Sequence, residues 1–183
     1  MVAFLQSEYG LEAFTEPDNI VGLPNAKTAT IPAPSTSTYG THDQDANWQD
    51  QMDLCIAIGG DGTLLHATSL FPNKCPPMVG FSAGSLGFLM SFNPEHYHQV
   101  LRMVLNGQHA LINHNRLSVY ITPLDESPNE SPKIRHPVRT LLNEVVVRRD
   151  ATLVGICELQ CKVDGQHLAT FQGDGVIVSS ATG

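Results

Sequence analysis

The stretch CIAIGGDGTLLHATSLF, residues 55–71, constrains the fold more than any other part of the chain. It begins within DLCIAI (53–58), a short and nearly continuous apolar run that suits a central parallel strand covered on both faces. The run stops at Gly59 and Gly60. An aspartate follows, then Gly62 and Thr63, and the spacing changes: Leu64, Leu65, Thr68 and Leu70–Phe71 recur at helical intervals, with Thr63 near the helix start. In CPPMVGF two prolines precede Met78–Phe81, a second short buried strand, and SAGSLGFL is a glycine-punctuated turn. NPEHYHQVLRMVLNG predicts a helix with Asn93 as N-cap, Pro94 at its first position and Glu95 in its first turn. Val100, Met103 and Val104 mark its buried face and Gly107 its stop. Residues 53–107 thus read strand–helix–strand–helix, a doubly wound α/β pattern.

The flanks differ in character. Residues 1–16 read as the end of a helix running into a short strand, and 17–50, rich in Pro, Thr, Ser and Asp, as a long surface loop with Trp48 packing at the core edge near its end. Beyond about residue 110 the pattern turns all-β. Leu117, Val119 and Ile121 alternate with polar residues, a four-proline loop covers 123–137, and VRTLLNEVVVRRD is another strand-like run. In CELQCKVDGQHLATF, Asp164–Gly165 stands between two alternating segments, a strong hairpin signal. The expected organisation is an α/β nucleotide-binding domain over 1–108 and a β domain over 109–183.

Composition narrows the function. A net charge of −8 without any Lys/Arg cluster argues against nucleic acid or an anionic membrane as main partner. No apolar run approaches the roughly 20 residues that span a bilayer, and the N-terminal residues carry no basic leader pattern. Cys157 and Cys161 invite a metal reading, but with Leu159 and Val163 they share one face of an alternating strand and have no partner at zinc-site spacing, so they read as buried thiols in a reducing compartment.

A glycine-rich turn between strand and helix presents backbone N–H groups to phosphate oxygens, and the helix N-terminus adds favourable partial charge. Neither a GxxxxGK[ST] loop nor a GxGxxG fingerprint is present, and no lysine stands at the turn. A carboxylate in a phosphate-binding turn is electrostatically costly unless it has a task, such as holding Mg²⁺ or accepting a proton from an attacking hydroxyl. The competing reading is a tight βα turn capped by Asp61 with no ligand at all.

GGDGTLL resembles the signature shared by NAD kinases, diacylglycerol and sphingosine kinases and, more loosely, phosphofructokinases. Three further stretches narrow the choice: GSLGFL (84–89), LNEVVV (142–147) and GDGVIVSSATG (173–183) resemble, in order, the later motifs of the NAD kinases. The SLFPNKCPP stretch and the long 17–50 loop are closer to their eukaryotic branch. The resemblance implies a Rossmann-like, phosphofructokinase-like α/β domain followed by part of a β-sandwich. It implies transfer of the ATP γ-phosphoryl to the 2′-hydroxyl of the adenosine ribose of NAD, giving NADP, with Mg²⁺ accompanying ATP and no stable protein-held metal. It assigns Asp61 as general base, with Gly59, Gly60, Gly62 and Thr63 on the phosphate side. Phe88 and Leu89 would pack near the NAD adenine, and Asn143 and Glu144 would hydrogen-bond the NAD ribose.

Each assignment has a plainer alternative. Phe88 could be core only, Asn143–Glu144 an exposed turn between strands, Gly173–Asp174–Gly175 a bulge or tight turn before the strand VIVS, His66 a packing or surface residue, and Arg148–Arg149 a solvated strand end. Relative to the family, the chain looks truncated at both ends: Met1 falls within the first helix and Gly183 comes early in the C-terminal motif, where SSATG replaces Ser-Thr-Pro-Thr-Gly. A half-built sandwich would leave an apolar face open and edges unpaired, so the chain alone is expected to be poorly stable, aggregation-prone and nearly inactive. The rival functions are a GGDGT-type lipid kinase and a non-catalytic, NAD kinase-like chain. Further expectations are a cytoplasmic location, homo-oligomers for the complete protein, and NAD and ATP as its small-molecule partners.

Overall fold

The computed structural model describes residues 1–15, 28–30, 48–85, 87–121, 137–150, 152 and 155–183. The proline-rich loop before residue 137, most of the 17–50 stretch and the side chain of Trp48 lie outside the described residues. The chain divides into two compact units, Met1–Ile112 and Asn113–Gly183.

The first unit is α/β. Helix α1 (Val2–Tyr9) leads into β1 (Ala13–Thr15), which pairs in parallel with β2 (Thr28–Thr30). β2 corrects the expectation of a structureless stretch over 17–50, and a 3₁₀ turn at Trp48–Gln51 corrects its end. Three residues, Thr-Ala-Thr, are too few for an alternation to register, so pairing with β1 decides their conformation. Then come β3 (Cys55–Gly59), α2 (Asp61–Ser69) and β4 (Met78–Ser82), with β3 and β4 parallel in the register Cys55↔Met78 to Gly59↔Ser82.

Alternation along these two strands sorts their side chains onto two faces. On one, Ile56, Val79 and Phe81 pack with Phe4 and Leu5 of α1 and with Val100 and Leu101 of α3 (Tyr97–Leu105). On the other, Ala57 and Met78 meet Leu64 of α2 and Met90. Phe81, Met90 and Leu101 are completely buried. β3 is less enclosed than its apolar run predicts: Ile58 is 51% exposed, because β4 is its one hydrogen-bonded neighbour among the described residues.

Asn93 caps the third helical segment as expected, its Oδ1 accepting from the Glu95 N–H at 2.9 Å. The first turn, Pro94–His96, is 3₁₀ and only then does α3 begin. A tighter first turn changes the angular phase of the residues after it. Leu101 therefore joins Val100 in the core, and Met103, expected on the buried face, is 44% exposed.

The second unit is all-β among its described residues and consists of three two-stranded antiparallel ribbons. β5 (Leu117–Tyr120) pairs with β6 (Pro137–Leu141), β7 (Glu144–Arg148) with β10 (Gly175–Ser179), and β8 (Cys157–Val163) with β9 (Gln166–Gly173). The run VRTLLNEVVVRRD is thus two strands, broken at Leu142–Asn143 and paired in different sheets. The β8–β9 hairpin turns at Asp164 and Gly165, with φ of 50° and 78°, the left-handed pair a two-residue hairpin demands. Cys157, Leu159 and Cys161 share a face as expected, but the thiols are half-buried. A register shift after Cys161 ends the alternation, which leaves Val163 53% exposed.

Candidate active site

The glycine turn after β3 and the loop after β4 are laced together. The Gly59 carbonyl accepts from the Ala83 N–H at 2.9 Å, and the buried Ser82 hydroxyl donates to the Ser85 carbonyl at 2.6 Å. Asp61 stands in the first turn of α2, where a negative charge is favoured by the helix dipole. Its carboxylate reaches across to the second loop. Oδ2 accepts from the Phe88 N–H at 2.9 Å, and Oδ1 from the N–H groups of Leu89 at 3.0 Å and Met90 at 3.2 Å. Expected to face a ligand, Asp61 also closes the loop beside it.

The turn glycines divide by what surrounds them. Gly59 has φ +155°, and a Cβ there would strike the Thr63 side chain, so the fold itself requires glycine. At Gly60 and Gly62 a Cβ would meet nothing within 4 Å. Their missing side chains leave open space over the N-terminus of α2. Thr63 and Phe88 are exposed, Phe88 at 77%, and Leu89 is half-buried against the Ala57–Leu64–Met90 cluster. The core-only reading of Phe88 therefore falls.

Gly59, Gly60, Asp61, Gly62, Thr63, Phe88 and Leu89 thus gather at one edge of the β3–β4 sheet. Two participants escaped the sequence reading. Ser82 carries no motif signal, whereas Gly87 stood within GSLGFL without a role. A Cβ on Gly87 would lie 2.7 Å from Asp61 Cγ and 2.8 Å from Oδ2.

Asn143 and Glu144 belong to the second unit, at the corner where β6 gives way to β7. The end of the chain folds against this corner. The Asn143 carbonyl accepts from the Ser180 N–H at 2.8 Å, and the Ser180 hydroxyl donates to the Leu142 carbonyl at 2.5 Å. A Cβ on Gly183 would come within 2.7 Å of the Asn143 carbonyl oxygen and 2.9 Å of Glu144 Oε2. Asn143 Oδ1 is buried with no hydrogen-bond partner among the described residues. Such an orphan acceptor is unusual in a folded chain. Gly173–Asp174–Gly175 takes its plainer reading: Asp174 links β9 to β10 and holds Arg149, Nε to Oδ1, at 2.9 Å. Among the described residues no three His, Cys, Asp or Glu side chains are placed to share a metal ion.

A glycine turn at the carboxyl end of a parallel strand, opening into a helix N-terminus, is the phosphate-binding arrangement of α/β nucleotide-binding proteins. Residues 4–109 match the family described as the ATP-NAD kinase N-terminal domain, and the chain belongs to that family. It is 36% identical over 149 residues to "Probable NAD kinase 1" of Oryza sativa subsp. japonica, covering 80% of this chain and 27% of the rice protein. With the NAD kinase of Trichlorobacter lovleyi it shares 35% identity over 135 residues, 74% of this chain and 44% of that one. Among solved structures, yeast NADH kinase complexed with NADH superposes with a TM-score of 0.72 at 22% identity, over 99% of this chain and 52% of the yeast chain, a likeness of fold. The chain thus spans between about a quarter and a half of the length of these relatives.

Proposed function

We propose that this chain carries the phosphoryl-transfer site of an NAD kinase. The observation that carries the reading is Asp61, a carboxylate held at a helix N-terminus beside two glycines whose absent side chains leave open space. In the reaction, the 2′-hydroxyl oxygen of the adenosine ribose of NAD forms a bond to the ATP γ-phosphorus. The bond from that phosphorus to the ADP oxygen breaks, and the hydroxyl proton passes to Asp61. The products are NADP and ADP. Positioning and charge stabilisation supply most of the catalysis in such a loose transition state.

Gly60 and Gly62 leave room for phosphate oxygens at the N–H groups of α2, and Thr63 offers its exposed hydroxyl. The exposed ring of Phe88, next to the half-buried Leu89 in sequence, suits a purine face. Asn143 supplies an unpaired amide oxygen and Glu144 a carboxylate for the vicinal hydroxyls of the NAD ribose. Mg²⁺ enters as the counter-ion of the ATP phosphates. The lipid-kinase alternative is set aside, because the matched family and these relatives are NAD kinases.

Three further parts of this reading rest on the family. The ribbons of the second unit belong to a β-sandwich, the complete protein assembles as a homo-oligomer, and its site of action is the cytoplasm. The rice relative "Probable NAD kinase 2, chloroplastic", 34% identical over 188 residues, makes localisation in living cells the first of these to test. The deciding assay incubates the purified chain with NAD, ATP and Mg²⁺, with Asp61→Asn beside it. NADP formed by the parent and not by the variant supports the proposal. Measurable turnover that is equal in both removes Asp61 from the chemistry.

A further inference from the structure

The three N–H contacts to Asp61 are unequally divided, and this carries an inference about how the carboxylate works. A carboxylate offers about four acceptor positions, two on each oxygen. Oδ1 accepts two hydrogen bonds, from Leu89 and Met90, and Oδ2 accepts one, from Phe88. The acceptor capacity of Oδ1 is therefore filled, whereas Oδ2 keeps one position. Resting on the phosphoryl-transfer reading above, we infer that Oδ1 is the anchor and Oδ2 the oxygen that takes the hydroxyl proton, with Gly87 as the positioning residue that makes this division possible.

The case for Gly87 is steric. It precedes the first of the three donors, and a Cβ there would fall within contact distance of Asp61 Cγ and both carboxylate oxygens. No L-residue fits without moving either the carboxylate or the 87–90 backbone. Either shift opens the hydrogen bonds that set the direction of Oδ2. Gly87 touches no reacting atom in this scheme. It acts through Asp61, by letting the backbone of one loop approach the side chain of another.

The test is a cycle of four 183-residue chains: parent, Gly87→Ala, Asp61→Ala and the double variant. Thermal unfolding reads the contact and NADP formation reads its use. Gly87→Ala is expected to lower the melting temperature of the parent and to leave that of Asp61→Ala unchanged, since the carboxylate it strikes is gone. In turnover it is expected to reduce kcat on the order of 100-fold, the penalty of a reacting group displaced by an ångström. KM for NAD should change much less than kcat falls, even where a shift of the 87–90 backbone carries Phe88 and Leu89 with it. Equal destabilisation in both backgrounds overturns the inference, as does a loss confined to KM. A parent chain that unfolds cooperatively but makes no NADP and binds neither NAD nor ATP defeats the functional reading instead. Thermal coupling would then show a clamp without the role assigned to Gly87.

Discussion

The amide N–H of Leu89 donates to Asp61 Oδ1 at 3.0 Å, and this contact ties together two glycine turns that lie 28 residues apart. With its neighbours it makes Asp61 part of the fold as well as of the chemistry. Asp61→Ala strands three backbone donors at once. A lost partner for a partly buried donor costs about 1–3 kcal/mol, and water reaches the Phe88 amide, so the low end of that range is expected for the first unit. Urea unfolding of the parent and variant should show the lower midpoint. An unchanged midpoint would show that the 88–90 amides do not depend on the carboxylate.

The turn glycines predict a division between folding and binding. Gly59→Ala meets both a strained φ and the Thr63 side chain, so it should destabilise the first unit, and Thr63→Ala added to it should recover part of the loss. Gly60→Ala and Gly62→Ala enter open space and should leave the stability within about 1 kcal/mol of the parent. Their cost should appear in ATP affinity, read by titration calorimetry. Unaltered ATP binding in both would mean that phosphates do not use that space.

Much of this arrangement was legible from sequence because it is local. The apolar run into Gly59–Gly60, the helical spacing after Gly62 and the Asp164–Gly165 hairpin each declare themselves within a few residues. What was not legible depends on partners far along the chain. The Asp61 donors lie 27 to 29 residues away, so no spacing rule announces them. VRTLLNEVVVRRD looks continuous because both halves are apolar, and only the pairing of β6 with β5 and β7 with β10 reveals the corner at Leu142–Asn143. The family resemblance pointed to Asn143 all the same, whose side-chain oxygen is buried without a partner among the described residues.

The third helical segment supplies a comparison between two neighbours. Leu101 is wholly buried against the Phe4–Phe81 cluster, whereas Met103 is 44% exposed. Leu101→Ala should cost about 2–5 kcal/mol, the range for truncating a core leucine. Met103→Ala should stay within about 0.5 kcal/mol, as surface changes do. Chemical denaturation of both variants checks the helical phase. A larger loss at Met103 would restore the face that the sequence pattern suggested.

Ser180 is the hinge pin of the second unit's polar corner. Its hydroxyl donates to the Leu142 carbonyl and accepts from the Thr182 N–H at 3.0 Å, adding to the backbone bond from the Ser180 N–H to the Asn143 carbonyl that holds 180–183 at this corner. Ser180→Ala removes both contacts. Amide exchange at Thr182 should quicken by roughly tenfold, the equivalent of about 1.4 kcal/mol of lost protection. NAD binding should weaken with it if the corner must be held for Asn143 to meet the ribose. Unaltered exchange at Thr182 would show that the turn is held by its backbone contacts alone.

The β7–β10 ribbon bears on the expected tendency to aggregate. Val146 and Ile177 face each other across the pair, 55% and 66% exposed, and Val147 and Val178 stand at 43% and 51%. An isolated two-stranded ribbon is marginal in water, and apolar side chains on both faces favour burial against any available surface. The purified chain should therefore sediment faster as its concentration rises. Val146→Thr with Ile177→Thr keeps β-branched residues at a directly opposed pair, so the strands should still form. The double substitution should suppress the concentration dependence and leave the melting temperature of the first unit unchanged. Association unaffected by it would place the sticky surface elsewhere, with the exposed Ile156, at 74%, as the next residue to change.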